Sequence, residues 1–204
     1  SDNWADDGEM LQMSRDGRRV LNGSWFYGVN CTTPYVASNF DHQRAYDEIY
    51  ENGAIAFFGA ANSASQTQGC GNPSIADLPD LDAFVFPASF NHNMSISSVG
   101  YQAHNITTNS TTGAQEGLNW SDCHQKDIFD PLNSYHHNSR VDLLAPGYWL
   151  PFLSDNSMNI QWNGQGTSYS SPMCAGTAAL MLSIDECLSP YQIEYVMKKK
   201  ARNV

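Results

Sequence analysis

Apolar and polar positions change period several times along the chain, and each change marks an element. Residues 5–16 (ADDGEMLQMSRD) put Ala5, Met10 and Met13 roughly on one side at helical spacing, and Gly17 stands where such a helix stops. RRVLNGSW then reads as a strand. A second helix is expected over about residues 39–52, where Phe40, Ala45 and Ile49 share a face and Gly53 closes it. AIAFFGAA, residues 54–61, is a nearly continuous apolar run, the pattern of a strand buried on both faces of a parallel sheet. Helix, strand, helix and strand joined by short connections imply an α/β fold with crossover helices.

The second half continues the scheme less regularly. Residues 62–83 read as loop, AFVFPASF and SISSVGY as short strands, and RVDLLAPG as another strand ended by Pro146-Gly147. Residues 102–139 are rich in Asn, Ser, Thr and Gly and are expected to form a surface insertion. SPMCAGTAALMLSI is apolar on almost every side, so this helix is expected to be central and buried. The last helix, LSPYQIEYVMKKK, opens with a capping box: Ser189 as the cap, Pro190 at the first position and Gln192 three residues after the cap. There is no internal repeat.

Composition narrows the classes. A chain of 204 residues that is 41% hydrophobic has enough apolar material for one domain with a substantial core. Its 21 acidic and 10 basic residues leave a net charge of −11, a surface that repels phosphate backbones and argues against a nucleic-acid partner. No apolar run has the length of a membrane span. Five cysteines (Cys31, Cys70, Cys123, Cys174 and Cys187) show no zinc spacing. Cys174 reads as a small buried hydrophobe. Two of Cys31, Cys70 and Cys123 are candidates for a disulfide, without an assignable pairing. Six N-x-[ST] sequons begin at Asn22, Asn30, Asn93, Asn105, Asn109 and Asn119. Asn22 falls in an expected buried strand, where a glycan has no room.

The candidate chemistry lies in GQGTSYSSPMCAGTAALML, residues 164–182, where a turn of small residues carrying serines runs into the apolar helix. A serine at a helix N-terminus is either a cap or a nucleophile whose developing charge the helix dipole favours. The hydrolase elbow G-x-S-x-G is excluded, because Ser170 stands where its second glycine belongs. The string Gly166, Thr167, Ser168, Ser170, Pro172, Ala175, Gly176 closely resembles the nucleophile motif of the subtilisin-like serine proteases. Four further segments resemble that family in its own order. RRVLNGSW is similar to the strand lining its cleft, and GAIAFFGAANS to the strand ending in its oxyanion asparagine. FPASF to ISSVG is similar to its next strand pair, and VDLLAPG to the segment before its serine.

The resemblance implies a three-layer α/β subtilisin-like fold, with a mainly parallel central sheet flanked by helices and the N-terminal part missing. Residues 1–204 would be one partial catalytic domain. It implies a secreted serine endopeptidase acting on polypeptide. Ser168 would attack the scissile carbonyl and carry the acyl group. Asn62 and the Ser168 N–H would hold the oxyanion, with Thr167 in support. Ser24, Trp25 and Phe26 would form one edge of the cleft and pair with extended substrate. Gly59, Ala60 and Ala61 would line the opposite wall of the pocket for the side chain before the cleaved bond. Small residues there would leave depth for a sizeable apolar group, partly filled by Trp25. Ala61 and Phe26 stand where the family commonly has glycine, and Met173-Cys174 follow Pro172 where it often has His-Val.

The base and its orienting carboxylate are not in view. In this family Asp and His precede Ser along the chain, and nothing in residues 1–61 resembles their segments. His42 is the one histidine before Asn62, within an expected polar helix; His92, His104, His124, His136 and His137 lie in later loops. Three readings follow. The first is a C-terminal piece of a protease, inactive alone, whose Asp and His lie upstream. The second is a triad-less pseudoprotease serving as a binding or structural module. The third is an esterase or transferase using His136 or His137. The chemistry requires no cofactor. Structural calcium is frequent in the family, and Asp77, Asp80 and Asp82 are candidate ligands, although their spacing matches no EF-hand loop.

Overall fold

The computed structural model describes residues 3–30, 40–62, 84–102, 107–108, 111, 115–116, 119–122, 138–148, 150–153 and 159–202. Along the first half run α1 (Asn3–Arg15), β1 (Val20–Gly23), β2 (Gly28–Asn30), α2 (Phe40–Glu51), β3 (Ile55–Gly59), β4 (Phe84–Phe86) and β5 (Asn93–Gln102). Then come β6 (Thr107–Thr108), β7 (Gln115–Glu116), β8 (Asn119–Asp122), β9 (Leu143–Pro146), β10 (Leu150–Leu153), β11 (Ile160–Gly164), α3 (Thr167–Ile184) and α4 (Pro190–Lys200).

Strands β1, β3, β5 and β9 form a parallel sheet in that order, and β8 adds antiparallel to the far end of β5. Helix α2 supplies the crossover from β1 to β3, as parallel neighbours require. β2 pairs antiparallel with β4, β6 with β7, and β10 with β11. The β10–β11 ribbon has no counterpart among the elements expected from the pattern of residues. The calcium candidates Asp77, Asp80 and Asp82, together with His104, His124, His136, His137, Cys31, Cys70 and Cys123, lie outside the described residues, as does most of the expected insertion.

The alternation of β3 divides the interior into two layers. Ala56 and Phe58 face α1 and α2, in a core rich in aromatics: Tyr46, Phe84, Phe86 and Phe90. Ile55 and Phe57 face α3 and α4, among Met94, Ile96, Cys174, Ala175, Ala178, Ile193 and Met197. Each large side chain buried in this way contributes about 1.5–3 kcal/mol. Burial also pushes the Cys174 thiol up to about 12.

Several expectations are corrected. Met13 is exposed while Met10 is buried, so the inner face of α1 is narrower than its apolar content suggests. Phe40 is exposed; α2 buries Ile49 as expected, together with Tyr46. Asn22 is exposed rather than buried in its strand, because among the described residues β1 has a neighbour, β3, on one side only. Helix α3 is not enclosed either. Its buried residues are Thr167, Ser170, Ser171, Cys174, Ala175 and Ala178, whereas Leu180 is 68% and Ile184 87% exposed. Apolarity all round a helix requires cover on every side, and the described residues cover one side only.

Polar anchors connect the parts. Asp7 is fully buried and pairs with His42 Nδ1; Tyr46 Oη donates to it at 2.5 Å and Tyr27 Oη at 3.3 Å. Burial first, and then the Asp7 charge, push both phenols far above their ordinary range, so they remain donors. Arg19 donates to three carbonyls, Gly53 at 2.6 Å, Glu186 at 3.1 Å and Leu188 at 2.6 Å. The capping box on α4 is present, with Ser189 and Gln192 bonding reciprocally.

Candidate active site

The carboxyl ends of β1 and β3 and the N-terminus of α3 converge at one edge of the sheet, the usual place for a site in a parallel sheet. Gly166 caps α3 with φ at +119°, a conformation open to glycine and costly for other residues. Its N–H donates to Gly147 O at 2.8 Å, which fixes where the helix begins. Thr167 follows as the first helical residue and Ser168 as the second.

The three serines of the first turn have different tasks. Ser170 is buried, and its hydroxyl lies 3.0 Å from Ala145 O, 3.1 Å from Pro146 O and 2.8 Å from Ser98 Oγ. Ser171 donates to Asn22 Oδ1 at 2.7 Å and so ties α3 to β1. Both are structural. Ser168 is half-buried, lines the cavity at the end of the sheet, and its hydroxyl has no hydrogen-bond partner among the described residues. Of the three, Ser168 alone lines the cavity.

Asn62 faces it across the turn. Its Oδ1 accepts from Thr167 N at 2.6 Å and from Thr167 Oγ1 at 3.0 Å. Two donors on one oxygen fix the amide orientation and make the NH₂ end its donor. Thr167 thus orients the Asn62 amide. Ala61, just before, sits at φ +77°, the left-handed region where a side chain costs about 1–2 kcal/mol. That turn swings Asn62 off the strand and toward α3.

The cavity measures about 80 Å³. It is lined by Ser24, Trp25 and Phe26 from the chain after β1, by Gly59, Ala61 and Asn62 at the end of β3, and by Thr167 and Ser168 of α3. Ser24 Oγ donates to Ser168 O at 3.2 Å, joining the β1 edge to the helix. Ala60 does not belong to the wall: it is fully buried, with its N–H on Ile96 O at 2.9 Å.

Neither described histidine is at this edge. His42 is held by Asp7 beneath α2; His92 pairs with Asp47 at 3.0 Å and stacks on Tyr50. The residues that sequence reasoning missed are Ser98, Asn22 and Ser171, which position the turn. The run of serines in β5 is a signal for Ser98, but its partner is 72 residues away. Among the described residues no three His, Cys, Asp or Glu side chains gather as for a metal ion, and no helix is long and apolar enough to cross a membrane.

Comparison with known proteins agrees with this layout. The structure is similar to that of a cold adapted subtilisin-like serine proteinase, with a TM-score of 0.52 and 18% identity over 96% of this chain and 53% of that one. It is also similar to a protease from Pseudoalteromonas arctica, with a TM-score of 0.52 and 19% identity over 90% of this chain and 44% of that one. The chain therefore spans about half the length of these neighbours, which share its mainly parallel, helix-flanked α/β fold. No curated protein sequence matches it. The model of the subtilase family matches residues 3–204, and the chain belongs to that family.

Proposed function

We propose that this chain is the part of a serine endopeptidase that carries the nucleophile and the oxyanion donors. The observation that carries the reading is the division of labour at the start of α3. Ser170 and Ser171 are tied into the fold, and Ser168 Oγ opens on the cavity beside Asn62. In this mechanism Ser168 Oγ attacks the carbonyl carbon of a peptide bond while a base takes its proton. The tetrahedral oxyanion accepts from Asn62 Nδ2 and the Ser168 N–H at the positive end of α3. Collapse expels the amine, which takes the proton back from the base. Water then cleaves the acyl ester by the same route and frees the acid. Loss of the Asn62 donor should lower turnover about 10²–10³-fold.

The base and its carboxylate are assigned to polypeptide outside this chain. Two observations support this. His42 and His92 are engaged elsewhere, and the neighbours in fold are about twice as long. Alone, the chain is then close to inactive. Secretion belongs to the same reading and rests on the family alone.

The test is fluorophosphonate labelling, with the adduct mapped by mass spectrometry, on this chain alone and on the full-length protein. The expected result is an adduct on Ser168 in the full-length protein, absent in Ser168→Ala, and forming about 10³-fold more slowly on the chain alone. No adduct in the full-length protein would mean a triad-less binding module. Equal labelling of the chain alone would place the base within it.

A further inference from the structure

The resemblance leads one to expect a deep pocket, because Gly59, Ala60 and Ala61 are small. The structure assigns that space differently. A Cβ on Gly59 would lie 2.7 Å from Thr167 Oγ1, so the room left by this glycine is already occupied by Thr167. Thr167 in turn is fixed by its two bonds to Asn62 Oδ1. Ala60 points into the core and gives no depth. The small residues of β3 accommodate the turn, and what they leave for a substrate side chain is little.

The opposite side is closed by aromatics. Trp25 meets Phe58 edge-on, with ring centroids 5.7 Å apart at 85°. Phe58 meets Tyr46 edge-on in the same way, at 5.5 Å and 88°, and is fully buried. This chain of contacts holds the Trp25 wall in place. Phe26 stands beside it at the rim, 36% exposed. Between the two sides lie about 80 Å³. A cavity that admits a benzene ring measures about 150 Å³. The space here also has to take the carbonyl oxygen that turns toward Asn62.

Resting on the reading of Ser168 as the acylated residue, we propose that the cavity admits only a small side chain, of the size of alanine or serine, before the cleaved bond, and that Phe26 sets this limit. Phe26 is the specificity-determining residue because it lines the cavity with a large, partly exposed ring. Its ring makes no aromatic contact among the described residues, so shortening it opens the cavity without dismantling the core.

The experiment is a series of peptide nitroanilides differing only in the residue before the bond (Ala, Ser, Leu, Phe), cleaved by the full-length protein and by its Phe26→Gly variant. The expected result is a kcat/KM for Ala at least about tenfold above that for Phe, since a misfit of one methylene is worth about 10–200-fold. In Phe26→Gly the Ala-to-Phe ratio should fall by about tenfold or more. Preference for Phe in the unaltered protein overturns the size limit, and an unchanged ratio in the variant overturns the role of Phe26. Either result leaves the endopeptidase reading intact, provided that a fluorophosphonate labels Ser168. Failure of both cleavage and labelling removes that reading and this inference together.

Discussion

The two layers on either side of the sheet are built by different rules. The layer under α1 and α2 is closed. Aromatic rings fill it, and the charge of Asp7 is met by His42 and Tyr46 of α2 and by Tyr27 just before β2. The layer under α3 and α4 is made, Phe57 apart, of aliphatic and small side chains and is open. Helix α3 presents Leu180, Ile184 and Met173 to solvent, on the same helix that carries Ser168 in its first turn. The closed layer is finished by the chain itself. The open layer carries the candidate site, and α3 leaves apolar side chains exposed on it among the described residues.

The largest effect should come from breaking the closed layer. Asp7→Ala leaves His42, Tyr46 and Tyr27 without their shared acceptor in a buried place, and should cost about 3–5 kcal/mol in urea unfolding. A loss below about 1 kcal/mol would mean that this layer stands on its rings alone.

A smaller effect is expected at the seam of the open layer, where Lys198 reaches both Asp142 and Glu194 at the end of α4. Burial raises the Asp142 carboxyl against the pull of Lys198 and of the Ser95 N–H. Burial also pulls Lys198 down, but the hydrogen bonds and charges of Asp142 and Glu194 outweigh it and hold the ammonium above 10.5. The folded value is raised, so the stability Lys198 supplies is fully present below pH 10.5 and lost as the pH rises beyond it. Lys198 is 38% exposed and solvent screens the pair. Lys198→Met should therefore cost only about 0.2–1 kcal/mol at pH 7, and the difference from the parent should shrink in unfolding curves above pH 11.

The smallest effect sharpens the contrast. Ile184→Lys on the open surface should change the stability of this chain by less than about 0.5 kcal/mol, although it places a charge on an apolar helix. A loss of 2 kcal/mol in thermal unfolding would show that Ile184 is covered in solution.

This contrast also explains what the sequence disclosed. The apolar run of β3, the capping box of α4 and the stops at Gly17 and Gly53 are local signals, and each marks its element within a residue or two. Ser168 and Asn62 were legible because their neighbours form compact motifs. The exposed side of α3 was not, since composition shows that a helix wants cover but not whether the same chain provides it. The β10–β11 ribbon was missed because LPFL and IQWNG alternate too briefly to stand out. The narrowness of the cavity was hidden for another reason. Gly59 is small on behalf of Thr167, 108 positions later, and a linear reading counts that smallness as open space.

Arg19 bears on how the molecule comes apart. Its guanidinium holds the carbonyl that follows α2 and two carbonyls of the turn between α3 and α4. The helices on opposite faces of the sheet thereby share one planar fork, which a lysine ammonium cannot span. Neither face can peel away without stripping acceptors from the other. The two layers, so unlike in composition, are bound into a single cooperative unit, and amide exchange in α2 and in the α3–α4 turn should report one common opening.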